Sequence, residues 1–224
     1  MKKFAVVFDL NGTIVDTEIA HSSAYTEVLK KYRVTFTITE FTEYWSRHGK
    51  KIDDYLKDIG REDLLKIEKQ IKEEKDEIFR RTLESTARLM PGTLELLERL
   101  KGVCPLGLES SSPLANVMAL LNHFGIARFF DAVVPLDAGF DEKKYGVAKN
   151  KSSRLKFAAE KLGYACSACV LVGDAEKDIR AAKEAGMKAI AIPNQYTESQ
   201  NFTEADKIIP SLSEITPEIL DSLF

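Results

Sequence analysis

Three cysteines, three histidines and no excess of basic charge in 224 residues remove several classes of function at the outset. A small, odd cysteine count cannot build a disulfide scaffold and fits a reducing cytoplasm. Cys166-x-x-Cys169 has no second pair with which to complete a zinc site, so its thiols are expected to be structural. A formal net charge of −3 gives no support for nucleic-acid binding, which needs a basic face. It still allows an anionic substrate in a locally positive pocket. No apolar run approaches the roughly 20 residues of a membrane span. The chain passes from Lys2-Lys3 straight into an apolar strand, without the pattern of a secretory signal. The expected setting is cytoplasmic, with neither membrane nor nucleic acid as partner, as a monomer or small homo-oligomer. Internal repeats and low-complexity tracts are also missing.

What remains is an ordinary globular composition, 44% hydrophobic and 30% charged, in a chain long enough for one or two domains. Phe4 to Phe8 is an unbroken apolar run, the signature of a strand buried on both faces of a parallel sheet. From Thr17 to Arg88 only helical spacing is found. Phe41, Tyr44 and Trp45 form an aromatic stripe expected in a local core, and Glu62 to Leu83 reads as one long helix with a solvated, charged face. Pro91-Gly92 marks a boundary. Beyond it, strands at Val103 to Glu109, Phe130 to Leu136, Cys169 to Gly173, Ala189 to Ile192 and Lys207 to Ile209 alternate with helices. Ser112 and Pro113 read as N-cap and first residue of one helix, and Gly163 and Gly186 as stops of two others. The alternation predicts an α/β fold. Residues 1–16 and 89–224 form a Rossmann-like parallel sheet flanked by helices, and residues 17–88 an inserted all-helical domain.

Parallel strands place their carboxyl ends on one edge, where ligands bind in open α/β sheets. The first strand ends in Asp9, followed by Asn11, Gly12 and Thr13. The second ends in Ser110, followed by Ser111, Ser112 and a helix N-terminus. The fourth ends in Gly173-Asp174, with Asp178 four residues on. Clustered carboxylates repel one another unless a cation joins them. An all-oxygen set with no histidine or cysteine cluster points to Mg²⁺. Ser110 and the helix N-terminus suit a phosphate, and Lys149 is placed to balance further negative charge. The inferred ligand is a phosphoryl group on Mg²⁺ beside a carboxylate able to attack it.

These motifs resemble those of the haloacid dehalogenase superfamily, in the branch with a helical cap inserted after the first motif, similar to β-phosphoglucomutase and phosphoglycolate phosphatase. The family's Asp-x-Asp-Gly-Thr appears as Asp9-Leu10-Asn11-Gly12-Thr13, and its Ser/Thr motif as Ser110. Its lysine motif appears as a degraded Ala148-Lys149-Asn150-Lys151 that keeps Lys149, and its Gly-Asp-x-x-x-Asp as Gly173 to Asp178. The resemblance implies an Mg²⁺-dependent phosphatase of a small phosphorylated metabolite. Asp9 would form an aspartyl-phosphate, and Ser110 and Lys149 would hold the transferring group. Asp9, the Asn11 backbone carbonyl and Asp174 would bind the metal. Gly12, Thr13, Ser111 and Asp178 would line the substrate, with the cap excluding water.

Asn11 departs from that pattern, since the family's second Asp is its general acid and base. An amide does not titrate in this range, and losing a general acid–base costs ~10²–10⁴-fold in rate. Three readings stay open: a substitution made to trap ligand or intermediate, a natural enzyme that is slow or uses another proton carrier, and a phosphometabolite binder without turnover. Asn11-Gly12 is also prone to deamidation, so activity gained on storage is expected to track a mass change in that peptide. His21 lies where sugar-phosphate mutases of the family carry a histidine, which makes a phosphomutase the nearest alternative. Its bland reading is a helix-surface side chain. Arg47, His48 and Lys50 interrupt the helices where relatives place a specificity loop, suited to a second anionic group. Glu109 is expected to bond substrate hydroxyls or to pair with a lysine of the cap.

Overall fold

The computed structural model describes residues 3–147 and 150–224. In chain order, β1 (Ala5–Asp9) and the short β2 (Val15–Asp16) precede the helices α1 (Glu18–Lys30), α2 (Ile38–Phe41), α3 (Ile52–Asp58) and α4 (Glu68–Thr86). The short β3 (Arg88–Leu89) follows, then α5 (Thr93–Leu100), β4 (Leu106–Glu109), α6 (Leu114–His123), β5 (Ala132–Val134) and α7 (Glu142–Tyr145). The chain ends with α8 (Lys151–Leu162), β6 (Cys169–Gly173), α9 (Glu176–Ala185), β7 (Lys188–Ala191), β8 (Lys207–Ile208) and α10 (Pro217–Asp221). It divides into two compact units, one of residues 1–16 and 89–224 and one of residues 17–88.

The first unit is built on a six-stranded sheet in the order β5-β4-β1-β6-β7-β8, every described pairing parallel. β1 is buried at all five positions because it lies at the centre, between β4 and β6. Its side chains alternate between faces, as a period of two requires. Ala5 and Val7 pack with Leu155, Ala158 and Ala159 of α8 and with Ile179 and Ala182 of α9. The small alanines let these helices lie close to the sheet. Chain order reverses at β1, since the next sheet strand goes to one side and β6 to the other. This is a topological switch point, where a crevice opens at the carboxyl ends.

The strands are shorter than the apolar runs suggest. Pro105 and the residues before it stay outside β4, and β5 covers only three residues. Gly163 and Gly186 end α8 and α9 in the left-handed conformation, as their spacing predicts. Ser112 is not the N-cap of α6. That position falls on Pro113, and the Leu114 N–H donates to the Asp137 carboxylate at 2.8 Å. β2 and β3, paired as a separate two-stranded sheet, are too short to show in a periodicity.

In the helical unit, Glu62–Ile67 is a 3₁₀ helix, so the long charged pattern is two elements and not one. Thr37 and Glu40 form a reciprocal capping box that starts α2. Of the aromatic stripe only Phe41 is buried, while Tyr44 and Trp45 are half-buried; Phe41 stacks on Trp45 at 4.6 Å, with Tyr25, Phe36 and Tyr55 around them. Among the described residues no helix is long and apolar enough to cross a membrane.

Candidate active site

The acidic cluster lies in the sheet unit. Asp9 ends β1 beside Glu109, its register partner on β4. Two carboxylates side by side on one face of a sheet repel, and Lys151, the first residue of α8, relieves them. Its ammonium lies 2.5 Å from Asp9 Oδ1, 2.8 Å from Asp178 Oδ1 and 2.9 Å from Glu109 Oε2. The sequence reading gave this role to Lys149, which lies outside the described residues. Lys151 was missed because Lys-Asn-Lys offers two lysines and the degraded motif fixes no register.

Asp174 follows β6 and is oriented by two side-chain donors. Thr13 Oγ1 donates to its Oδ1 at 2.9 Å, and Asn194 Nδ2 donates both to its Oδ2 and to the Gly12 carbonyl, each at 3.0 Å. Gly12 has φ of 90°, and a Cβ there would stand 2.6 Å from Asp174 Oδ2. The glycine is thus required both by the turn and by the close approach of the carboxylate. Gly173 meets the same demand, since a Cβ there would fall 2.6 Å from that of Asp178. Asp178 accepts from the Ala175 N–H at 3.1 Å, the N-terminal contact of α9. Asn194 was overlooked, although a polar residue just after an apolar strand is the signal that singled out Asp9.

On the β4 side, the Ser110 and Ser112 hydroxyls both donate to Asn11 Oδ1, at 3.2 and 3.3 Å, and the Ser112 N–H donates to Ser110 Oγ at 3.1 Å. Asn11 therefore sits in a socket made for an oxygen acceptor, which a carboxylate would also fill. Glu109 is fully buried and pairs with Arg154 and Lys151, both of α8. That corrects the expectation of a substrate hydroxyl or a cap lysine. The helix N-terminus expected to bind phosphate already gives its first N–H to Asp137.

Asp9, Asp174 and Asp178 are buried, and each offers an oxygen within 4.8 Å of the others. With Glu109 they make four carboxylates around two cations, Lys151 and Arg154, a formal excess of two negative charges. The protonation equilibria reflect that excess. Burial pushes Asp9 well above the usual carboxylate range, with Asp178, Glu109 and Asp174 adding to it and Lys151 only partly opposing. Burial, then Asp178, pushes Asp174 up to about 7. Burial also acts to raise Asp178, but Lys151, Lys177 and the Ala175 N–H outweigh it and leave the group below its ordinary value. The Lys151 ammonium, though buried, is held well above its ordinary range by Asp178, Asp9 and Glu109. A buried all-oxygen donor set short of two positive charges fits Mg²⁺.

In the helical unit, the His21 ring stacks on Phe79 at 4.4 Å, and burial, then the Lys75 charge, holds it well below its ordinary pKa. The residue is half-buried. At the end of the π-helical segment Thr42–Arg47, Arg47 pairs with Glu43 at 2.9 Å; just after it, His48 Nδ1 meets the Glu43 carbonyl at 2.6 Å and Lys50 pairs with Asp58 at 2.9 Å.

A parallel sheet with an acidic cluster and a lysine at its switch point is the arrangement of an α/β enzyme site. The family model of haloacid dehalogenase-like hydrolases matches residues 5–186, and the chain belongs to that family. It is 29% identical to fructose-1-phosphate phosphatase YqaB of Escherichia coli K12, over 84% of this chain and 95% of that one. It is 27% identical to the phosphoglycolate phosphatase of the same organism, over 98% and 95%. The crystal structure of CbbY from Rhodobacter sphaeroides in complex with phosphate shares the fold, with a TM-score of 0.80 at 24% identity over 99% of this chain and all of that one.

Proposed function

We propose that the protein is an Mg²⁺-dependent phosphatase of a small phosphorylated metabolite, with Asp9 as nucleophile. The observation that carries this is the Lys151 ammonium bridging Asp9 and Asp178 beside Asp174. Relatives named for fructose 1-phosphate and phosphoglycolate support the substrate class. Asp9 Oδ attacks phosphorus, the bond to the leaving oxygen breaks, and its electron pair stays on that oxygen. Ser110 and Lys151 hold the phosphoryl oxygens. Water then attacks the aspartyl-phosphate and releases phosphate with Asp9 regenerated. Asn11 donates no proton to the leaving oxygen and takes none from water, so both steps are slowed. Asp9, the Asn11 carbonyl and Asp174 are the residues to hold Mg²⁺, which when bound neutralises charge on the phosphoryl group. The choice of substrate is assigned to the helical unit, with the Arg47-His48-Gly49-Lys50 turn as its candidate determinant. The phosphomutase alternative rests on His21, which stacks on Phe79 within the helical unit. A panel of phosphate esters, assayed for phosphate release with and without Mg²⁺, tests the proposal. Release only with Mg²⁺ is expected, and isomerisation without release would favour the mutase.

Two predictions concern the metal. Asp174 must lose its proton to ligate, and its pKa lies near 7 because burial and Asp178 raise it. In the metal-free protein this group stabilises the fold at low pH, and that contribution is lost as pH rises through the raised value. Mg²⁺ binding has the opposite slope. Its dissociation constant is expected to fall by roughly tenfold from pH 6 to pH 8, measured calorimetrically. A constant independent of pH would remove Asp174 from the ligand set. Asn194→Ala removes a donor that orients both Asp174 and the Gly12 carbonyl. It is expected to weaken Mg²⁺ binding by ~10–100-fold with little change in melting temperature.

A further inference from the structure

Glu109 and Arg154 are 0% and 1% exposed, and the chemistry above uses neither. Arg154 lies one turn after Lys151 on α8. Its Nε donates to Glu109 Oε1 at 2.7 Å, and its Nη2 donates to Ser111 Oγ at 2.8 Å. Glu109 Oε2 lies 2.9 Å from Lys151 Nζ, which reaches Asp9 at 2.5 Å. A single chain of contacts therefore runs from Ser111 through Arg154, Glu109 and Lys151 to the nucleophile. Elsewhere α8 meets the sheet through Leu155, Ala158 and Ala159. A buried ion pair is no better for stability than apolar residues of similar volume, so its presence at this one contact asks for another reason.

We propose that Glu109 and Arg154 are a positioning pair that sets the Lys151 ammonium and the Ser111 hydroxyl on the side of the site that holds the phosphoryl group. The proposal rests on the phosphoryl-transfer reading. Attack on phosphorus consumes the charge of Asp9, one of the three carboxylates that hold Lys151. Glu109 is an anchor that the reaction leaves unchanged, and Arg154 fixes its second oxygen. The same guanidinium makes Ser111 Oγ an acceptor, so the hydroxyl proton is directed to another acceptor, such as a phosphoryl oxygen. Lysine in place of Arg154 would keep the charge but lack the fork that spans Glu109 and Ser111.

The test compares the full-length protein with the double variant Glu109→Leu/Arg154→Met, with Arg154→Lys and with Ser111→Ala. Melting temperature, kcat and KM for p-nitrophenyl phosphate with Mg²⁺, and inhibition by inorganic phosphate are measured. That substrate has a leaving group that needs no proton, so Asn11 leaves its first step unhindered and slows only hydrolysis of the aspartyl-phosphate, equally in every variant compared. The double variant is expected to keep its melting temperature, because an apolar pair replaces the ions, yet to lose ~10–100-fold in kcat with weaker phosphate inhibition. Arg154→Lys and Ser111→Ala are expected to lose similar amounts, and to lose no more when combined. A double variant with unchanged kcat and phosphate inhibition overturns the pair's role and leaves the parent reading intact. If the double variant fails to fold, unchanged kinetics in Arg154→Lys overturn it instead. An unmodified protein that neither hydrolyses the ester nor binds phosphate overturns the phosphoryl-transfer reading, and this proposal with it.

Discussion

Asn11→Asp is expected to raise the turnover of alkyl phosphate esters by ~10²–10⁴-fold, the range that a positioned general acid–base contributes. The socket is already prepared. Ser110 and Ser112 both donate to the side-chain oxygen of residue 11, and a carboxylate accepts the same two hydroxyls. These two contacts are kept, so the gain is assigned to proton transfer. The effect on p-nitrophenyl phosphate should be much smaller in the first step, because p-nitrophenolate leaves without a proton. The burst of p-nitrophenol, measured beside steady-state assays of both esters on the two proteins, checks this. Equal gains on both would place the deficit in hydrolysis of the aspartyl-phosphate. No gain on either would favour a phosphometabolite binder and count against the enzyme reading.

Lys151→Met is expected to abolish detectable phosphatase activity and to destabilise the metal-free protein by ~3–5 kcal/mol, the cost of leaving a buried charge unpaired. Its ammonium touches Asp9, Asp178 and Glu109 and is only 11% exposed, so three carboxylates lose their common cation together. Raising Mg²⁺ should return part of the stability, by supplying positive charge to the same cluster, and none of the activity. Lys149→Met should change neither property by much. Kinetics and denaturant melts of the two variants separate the lysines, and a silent Lys151→Met beside an inactive Lys149→Met would return the role to Lys149.

The contrast between the lysines shows what a sequence can carry. Asp9, Ser110 and Asp174 were legible because each follows an apolar strand, and strand ends in a parallel sheet share an edge whatever the intervening helices do. Thr13 and Gly12 were legible as parts of a motif, but not their contacts with Asp174, which depend on how tightly one turn approaches another. Lys151 and Arg154 come from α8, and the degraded lysine motif does not show which of that helix's basic side chains turn toward the strand ends. The pairing of Glu109 with Arg154 joins residues 45 apart, and neither periodicity nor motif links them. How His21 stacks on Phe79 is set by how α1 packs on α4, and spacing alone does not fix that.

The central claim is that Asp9 accepts a phosphoryl group. Incubation with p-nitrophenyl phosphate and Mg²⁺, followed by acid quench and mass spectrometry, tests it directly. With a good leaving group and no general base at residue 11, the first step outruns the second. The account predicts one phosphoryl group per chain, labile to hydroxylamine, in the peptide that contains Asp9, and absent from Asp9→Asn. Steady release of p-nitrophenol with no phosphorylated chain, or with the label on another residue, would contradict it.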